Sequence, residues 1–264
     1  MSTKVLISIG KKILNSRNIC ILMCLNRKMK ILDCTFRDGG YYTKWDFSRD
    51  LVHDHIRTMD QVGIDYVELG YRSIVPASSY FGQHKYLTET FINALPKTKN
   101  TKFALMLDVK EFLNDGRMTG ELIDQLFVPK QESRLSLIRL ACILDDVDDA
   151  LRISDVLSEK GYEISLNVMQ TSLLSLNDWQ RIVAKADGRC DMLYLVDSFG
   201  SMSPADIASF IQQSTGRTPL LLGVHLHNNM NQATANALKA LEHDRDIIVD
   251  GSVKGIGRGA GNLP

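Results

Sequence analysis

Eight short apolar runs, each followed by a helix-like pattern and recurring about every thirty residues, predict a (β/α)8 TIM barrel for this 264-residue chain. Two further observations agree. The length and the 44% apolar content suit a single large core, and barrels of this kind need roughly 250 residues. Polar residues capable of chemistry also collect at the ends of the runs, where barrels place their sites. An open doubly wound sheet fits less well, because no Gly-x-Gly-x-x-Gly fingerprint follows the first strand.

The elements are read in order. Residues 1–28 form a basic, apolar leader, and Met29 stands just before the first clear strand. The leader is expected to be a disordered or non-native extension; the competing reading is a short amphipathic helix on Val5, Leu6, Ile9 and Ile13 that covers one end of the barrel. Residues 29–264 are the expected catalytic barrel. Its strands are predicted at 31–36, 66–70, 103–108, 135–140, 164–169, 192–197, 221–226 and 247–253.

Helix signals lie between these strands. Ser48 can cap a helix that carries Leu51, Ile56, Met59 and Val62 and stops at Gly63, and Ser203 followed by Pro204 opens another. A third begins near Asp145 and ends at Gly161. The eighth helix has no residues to form it before Pro264. The barrel is therefore expected to lack its last helix and to be truncated at its C-terminus, leaving apolar surface on strands eight and one for a partner subunit, a homo-oligomer or the leader to cover.

Charge narrows the function. Acidic and basic residues balance at 31 each, which offers no electrostatic footprint for nucleic acid or an anionic membrane. The apolar run 19–25 is too short to span a bilayer and lacks a cleavage pattern. Five scattered cysteines argue against a secreted disulfide framework and for a reducing cytoplasm.

Two distant stretches carry the chemistry, Asp-Cys-Thr-Phe-Arg-Asp-Gly-Gly at 33–40 and His-Leu-His-Asn-Asn at 225–229. Residues two apart on a strand share a face, so His225 and His227 point the same way, and Asp38 adds a carboxylate from another strand end. Two imidazoles and one carboxylate with open positions suit a catalytic divalent ion. Core histidines, a loop-capping Asp38 and a salt-bridged Arg37 are the alternatives.

With Gly-Ile-Gly-Arg-Gly-Ala-Gly-Asn at 255–262, these motifs resemble the DRE-TIM metallolyases over residues 31–264. That superfamily, of the HMG-CoA lyase-like or pyruvate carboxyltransferase type, includes 4-hydroxy-2-oxovalerate aldolase, 3-hydroxy-3-methylglutaryl-CoA lyase and the isopropylmalate-type synthases. The aldolase-like members are the most similar in type. The resemblance implies that Asp38, His225, His227 and Asn262 hold Mn²⁺ or Mg²⁺. It also implies that Arg37 stabilises enolate charge and that Ser198 contacts substrate. Glu68, within strand two, and Asp108, at the end of strand three, are added as substrate-binding candidates. Along with Arg139 and Asn167 they read equally well as a buried network.

The chain departs from the pattern at Tyr41, where the aldolase branch has an acid–base histidine. Glu-Gln, which follows Arg-Asp-Gly in the synthases, is also absent. Tyr41 is taken as the catalytic proton-transfer residue, with Tyr42 and His84 as alternatives. The activity these residues imply is a metal-dependent aldolase-type carbon–carbon lyase acting on a small 2-oxo acid such as pyruvate. A Claisen-type acyl-CoA condensing enzyme and an inactive barrel subunit are the rivals.

Overall fold

The computed structural model describes residues 29–77, 80–113 and 119–264. The leader, with the amphipathic helix considered for it, lies outside the described residues. Eight parallel strands close into a barrel in sequence order: β1 (Lys30–Asp33), β2 (Tyr66–Tyr71), β3 (Lys102–Asp108), β4 (Leu135–Cys142), β5 (Glu163–Val168), β6 (Met192–Asp197), β7 (Leu221–Leu226) and β8 (Ile247–Gly251). The helices are α1 (Thr35–Thr43), α2 (Arg49–Val62), α3 (Glu89–Asn93), α4 (Val109–Leu113), α5 (Thr119–Leu126), α6 (Val147–Glu159), α7 (Leu176–Ala186), α8 (Pro204–Ser214) and α9 (Ala233–Leu241). No described helix is long and apolar enough to cross a membrane.

Period-two alternation sorts each strand into two faces. Outward side chains such as Val67, Leu105, Ile138, Leu166, Leu193 and Val224 pack with the helices in the main core. Inward side chains Leu32, Tyr66, Ala104, Leu137, Met192, Tyr194 and Ile248 form a smaller core inside the barrel.

The capping signals behave as the sequence indicates. Ser48 accepts the backbone N–H of Leu51, and Gly63 ends α2 in the left-handed region at φ 82°. Ser203 and Asp206 form a reciprocal capping box with Pro204 in the first turn of α8. The face of α2 is corrected: Val52 and Ile56 are its buried residues, and Leu51 and Val62 are exposed.

Two further expectations change. β1 ends at Asp33 instead of residue 36, and the chain turns at once into α1, so Arg37 and Asp38 stand on a helix. The outward side chains of β8 do not face water: Ile247 and Val249 are 1% and 7% exposed and belong to the outer core with Ala237 and Ala240 of α9. After β8 the described chain forms a short 3₁₀ turn, Val253–Gly255, and a loop to Pro264.

Candidate active site at the mouth of the barrel

The site begins one layer below the mouth. In barrels of this type a layer takes its side chains from alternate strands and is usually filled with bulky apolar residues. Here the even strands supply Glu68 from β2, Arg139 from β4, Tyr194 from β6 and Asp250 from β8. The Arg139 guanidinium pairs with Glu68 Oε1 at 3.0 Å and Asp250 Oδ2 at 2.6 Å, and lies 4.4 Å from the Tyr194 ring centroid. Gly223 of β7 makes room, since a Cβ there would fall 2.5 Å from the Tyr194 ring.

The layer above completes a ring of charges. Glu68 Oε2 accepts from Arg37 Nε at 2.7 Å, and Arg37 Nη1 reaches Asp38. His225 Nε2 stands 3.5 Å from Asp38 Oδ2, and its Nδ1 is 2.9 Å from Asp250 Oδ2. The ring therefore closes through Arg37, Asp38, His225, Asp250, Arg139 and Glu68, all of them buried.

The local backbone explains how α1 delivers its part. Gly40 lets Trp45 fold back onto the helix, because a Cβ at Gly40 would sit 2.1 Å from the indole. Trp45 Nε1 then donates to the Arg37 carbonyl at 3.0 Å. Opposite it, the glycine-rich loop brings in Asn262, whose Nδ2 donates to Asp38 Oδ2 and whose backbone pairs with His227.

Electrostatics set the protonation states. Burial alone would push the Asp38 carboxyl up, but Arg37, His225 and the Asn262 amide outweigh it and hold Asp38 below the usual carboxylate range. Burial drives His225 well below its ordinary value and lowers His227 as well, so both imidazoles are neutral and able to offer lone pairs. Two guanidiniums face three carboxyl groups in the ring, a formal excess of one negative charge with His225 neutral, although burial raises the Asp250 carboxyl above its usual range.

That donor set fits a divalent cation. Asn262 is 3% exposed, and its Oδ1 has no hydrogen-bond partner. Among the described residues, Cys34, Asp38 and His225 form a cluster of candidate ligands whose donor atoms lie within 4.8 Å of one another. His227 is outside that set, although its ring centroid is 5.2 Å from that of His225. Cys34 keeps its proton: burial raises its pKa well above the ordinary value, and its thiol donates to Gly251 O at 3.2 Å. It acts as a wall of the site.

A cavity of about 210 Å³ opens above the ring, lined in part by Arg37, Tyr41, Asp108, Ser198, His225 and His227. With Asn167, seven of the residues singled out in the sequence thus line one cavity. Ser198 Oγ accepts from the Gln170 backbone N–H at 2.9 Å. Asn167 also lines the cavity and carries a buried, unpartnered amide nitrogen. Burial, with Glu111 nearby, raises the Asp108 carboxyl above its usual range.

Glu68 is placed elsewhere than expected. It lies under the cavity with both oxygens against guanidiniums, so it holds Arg37 and Arg139 instead of forming part of the wall. The alternative bases do not reach the cavity wall either: Tyr42 donates to Gly257 O at 2.8 Å, and His84 is buried among Phe36, Phe47 and Phe91.

Three residues had no sequence signal. Asp250 reads as an ordinary strand-end Asp-Gly, Tyr71 as strand packing and Arg258 as a loop residue. The structure sets the Tyr71 hydroxyl 3.1 Å from that of Tyr41, puts Arg258 over the Tyr41 ring at 4.6 Å, and places Asp250 behind His225.

Residues 136–264 match the family model described as HMGL-like. A solved domain from Bacteroides vulgatus, the N-terminal part of a protein assigned provisionally as an aldolase, is 32% identical with a TM-score of 0.79; the match covers 89% of this chain and 76% of that one. The chain belongs to the HMGL-like family.

Its curated relatives are more distant. Oxaloacetate decarboxylase of Mycobacterium tuberculosis is 24% identical over 249 residues, covering 92% of this chain and 69% of that protein. The 4-hydroxy-2-oxovalerate aldolase of Thermomicrobium roseum is 25% identical over 236 residues, covering 89% and 64%. This member of the family thus spans about two thirds of the length of those relatives. The HMG-CoA lyase of Bacillus subtilis, 15% identical with a TM-score of 0.66 and 90% and 83% coverage, shares the fold.

Proposed function

We propose that this HMGL-like barrel is a divalent-metal-dependent lyase of the aldolase type, which makes or breaks the carbon–carbon bond between C3, the carbon next to the carbonyl, and C4 of a 2-oxo acid. One observation carries the reading: the closed, buried ring ends in Asp38, two neutral imidazoles and the unsatisfied Asn262 Oδ1, and it has one negative charge in excess. Asp38, His225, His227 and Asn262 would hold Mn²⁺ or Mg²⁺. Bound there, the ion would supply Lewis acidity to the 2-oxo acid oxygens and so stabilise an enolate.

The chain's own residues do the rest. Arg37, fixed from two sides by Asp38 and Glu68, holds positive charge where enolate charge develops and needs no reorganisation to do so. Asp250 and Arg139 orient the His225 ring from behind. Asn167 Nδ2 and the Ser198 hydroxyl are available to bind substrate oxygens.

Proton transfer has two candidates on the wall. Tyr41, with its hydroxyl against that of Tyr71, donates a proton well and accepts one poorly at neutral pH. Asp108 is favoured as the base, because it lines the same cavity and burial raises its carboxyl toward the working range. Relatives named for oxaloacetate decarboxylation and 4-hydroxy-2-oxovalerate cleavage support a 2-oxo acid substrate. The balanced charge and the free thiols of Cys34, Cys142 and Cys190 support a cytoplasmic setting with no nucleic-acid or membrane partner. A homo-oligomer or partner subunit belongs to the same proposal.

The test is deuterium exchange into the methyl group of pyruvate in D₂O, followed by proton NMR with Mg²⁺ or Mn²⁺ and the full chain. Exchange that requires both metal and protein is expected. Its absence from folded, metal-loaded protein would sink the aldolase reading and favour the acyl-CoA condensation or an inactive barrel.

A further inference from the structure

Two guanidiniums line the cavity, and they are in opposite situations. Arg37 is buried with carboxylates on two sides, whereas Arg258 is exposed and has no carboxylate within ion-pair distance among the described residues. Arg258 stacks over the Tyr41 ring at 4.6 Å, an arrangement that uses the face of the guanidinium and leaves its N–H edge free for a planar anion.

The space beside Arg258 continues outward. A second cavity of about 300 Å³ shares Ser198, His227 and Arg258 with the first and adds Gln170, Asn229 and Gly259. Among the described residues, no acidic side chain lines this outer space, and the one carboxylate on the inner cavity wall is Asp108. Among the described residues, a molecule anchored at the ring and extending along this path meets one unpaired cation, Arg258.

We propose that Arg258 selects substrates bearing a second carboxylate, so that the site takes dicarboxylic 2-oxo acids or the aldols that release them. The proposal rests on the 2-oxo acid reading above and names its substrate class. Arg258 binds the distal carboxylate through two parallel N–H···O bonds while Tyr41 holds the guanidinium plane. A charge-assisted pair of this kind favours the dianion over a methyl-ended analogue by at least about tenfold.

The matched probes are 2-oxopentanedioate and 2-oxopentanoate, identical except that a carboxylate replaces the terminal methyl. Their affinities are measured by calorimetry on the full chain with Mg²⁺ present, for the wild type, Arg258→Gln and Arg258→Lys. The expected result is at least about tenfold tighter binding of the dicarboxylate by the wild type, falling to within about twofold in Arg258→Gln and partly kept in Arg258→Lys. Equal affinities in the wild type, binding of neither probe, or a preference that survives Arg258→Gln each overturns the proposal. A dicarboxylate preference without pyruvate methyl exchange would leave the role of Arg258 standing and remove the aldolase reading.

Discussion

The shell between strands and helices is filled almost wholly by Leu, Ile, Val and Phe, whereas the inside of the barrel buries two arginines and three carboxylates in two adjacent layers. Both regions are equally dry, yet they contribute differently. The shell removes apolar surface from water and supplies stability at ~25 cal/mol per Å². The interior ring spends desolvation energy that its ion pairs offset only while every partner is present. Its return is a rigid set of charges with one negative charge in excess, which an apolar filling could not provide.

The contrast breaks first at Arg139. Arg139→Met leaves Asp250 buried without a guanidinium and Glu68 with Arg37 alone, and is expected to cost about 3–5 kcal/mol in urea unfolding. Removing both acids as well, in Glu68→Gln/Arg139→Met/Asp250→Asn, should restore most of that loss while activity stays absent. A triple variant no more stable than the single one would show that the ring stabilises the fold on its own account.

The shell answers in the opposite way. Leu166→Ala, at a fully buried outward position on β5, is expected to cost about 3 kcal/mol with kcat/KM per folded molecule unchanged. A large fall in kcat/KM there would mean that shell packing sets the site geometry directly.

A smaller effect sharpens the comparison through pH. His84 is a polar exception within the shell: burial lowers its pKa to about 4, from 6.5, while its Nδ1 binds Leu69 O. As pH falls, the unfolded chain takes up this proton first, so stability should decline from about pH 6.5 and level off below about pH 4. The expected loss from pH 7 to pH 5 is about 2 kcal/mol. His225 and His227, also lowered by burial, add to it with the same sign. The measurement is urea unfolding at both pH values on the wild type and on His84→Gln, in which the His84 part of the decline should vanish.

Legibility in the sequence follows the same division. Strand positions were readable because outward apolar residues alternate with the inward ones, and β6 and β7 fall where the pattern puts them. The end of β1 was not, because Phe36 continues the apolar run by eye but packs as the first turn of α1. In the site, two histidines at i and i+2 announce themselves. Asp250 does not, since an Asp before Gly at a strand end ordinarily signals a turn, and it is the register of β8 on β7, Val224 beside Val249, that brings it behind His225. Glu68 was read equally as a substrate contact and as part of a buried network, because sequence shows that it points inward and not how deep it lies; its two guanidinium partners place it in the network.

If Asp38, the two imidazoles and Asn262 hold one divalent ion, titration of the full chain with Mn²⁺, followed by electron paramagnetic resonance, will show it. One Mn²⁺ per chain is expected, displaced by Mg²⁺, with affinity weakened on the order of 100-fold or more in Asp38→Asn. Absence of stoichiometric binding by folded wild-type protein, or unchanged binding by Asp38→Asn, would contradict it.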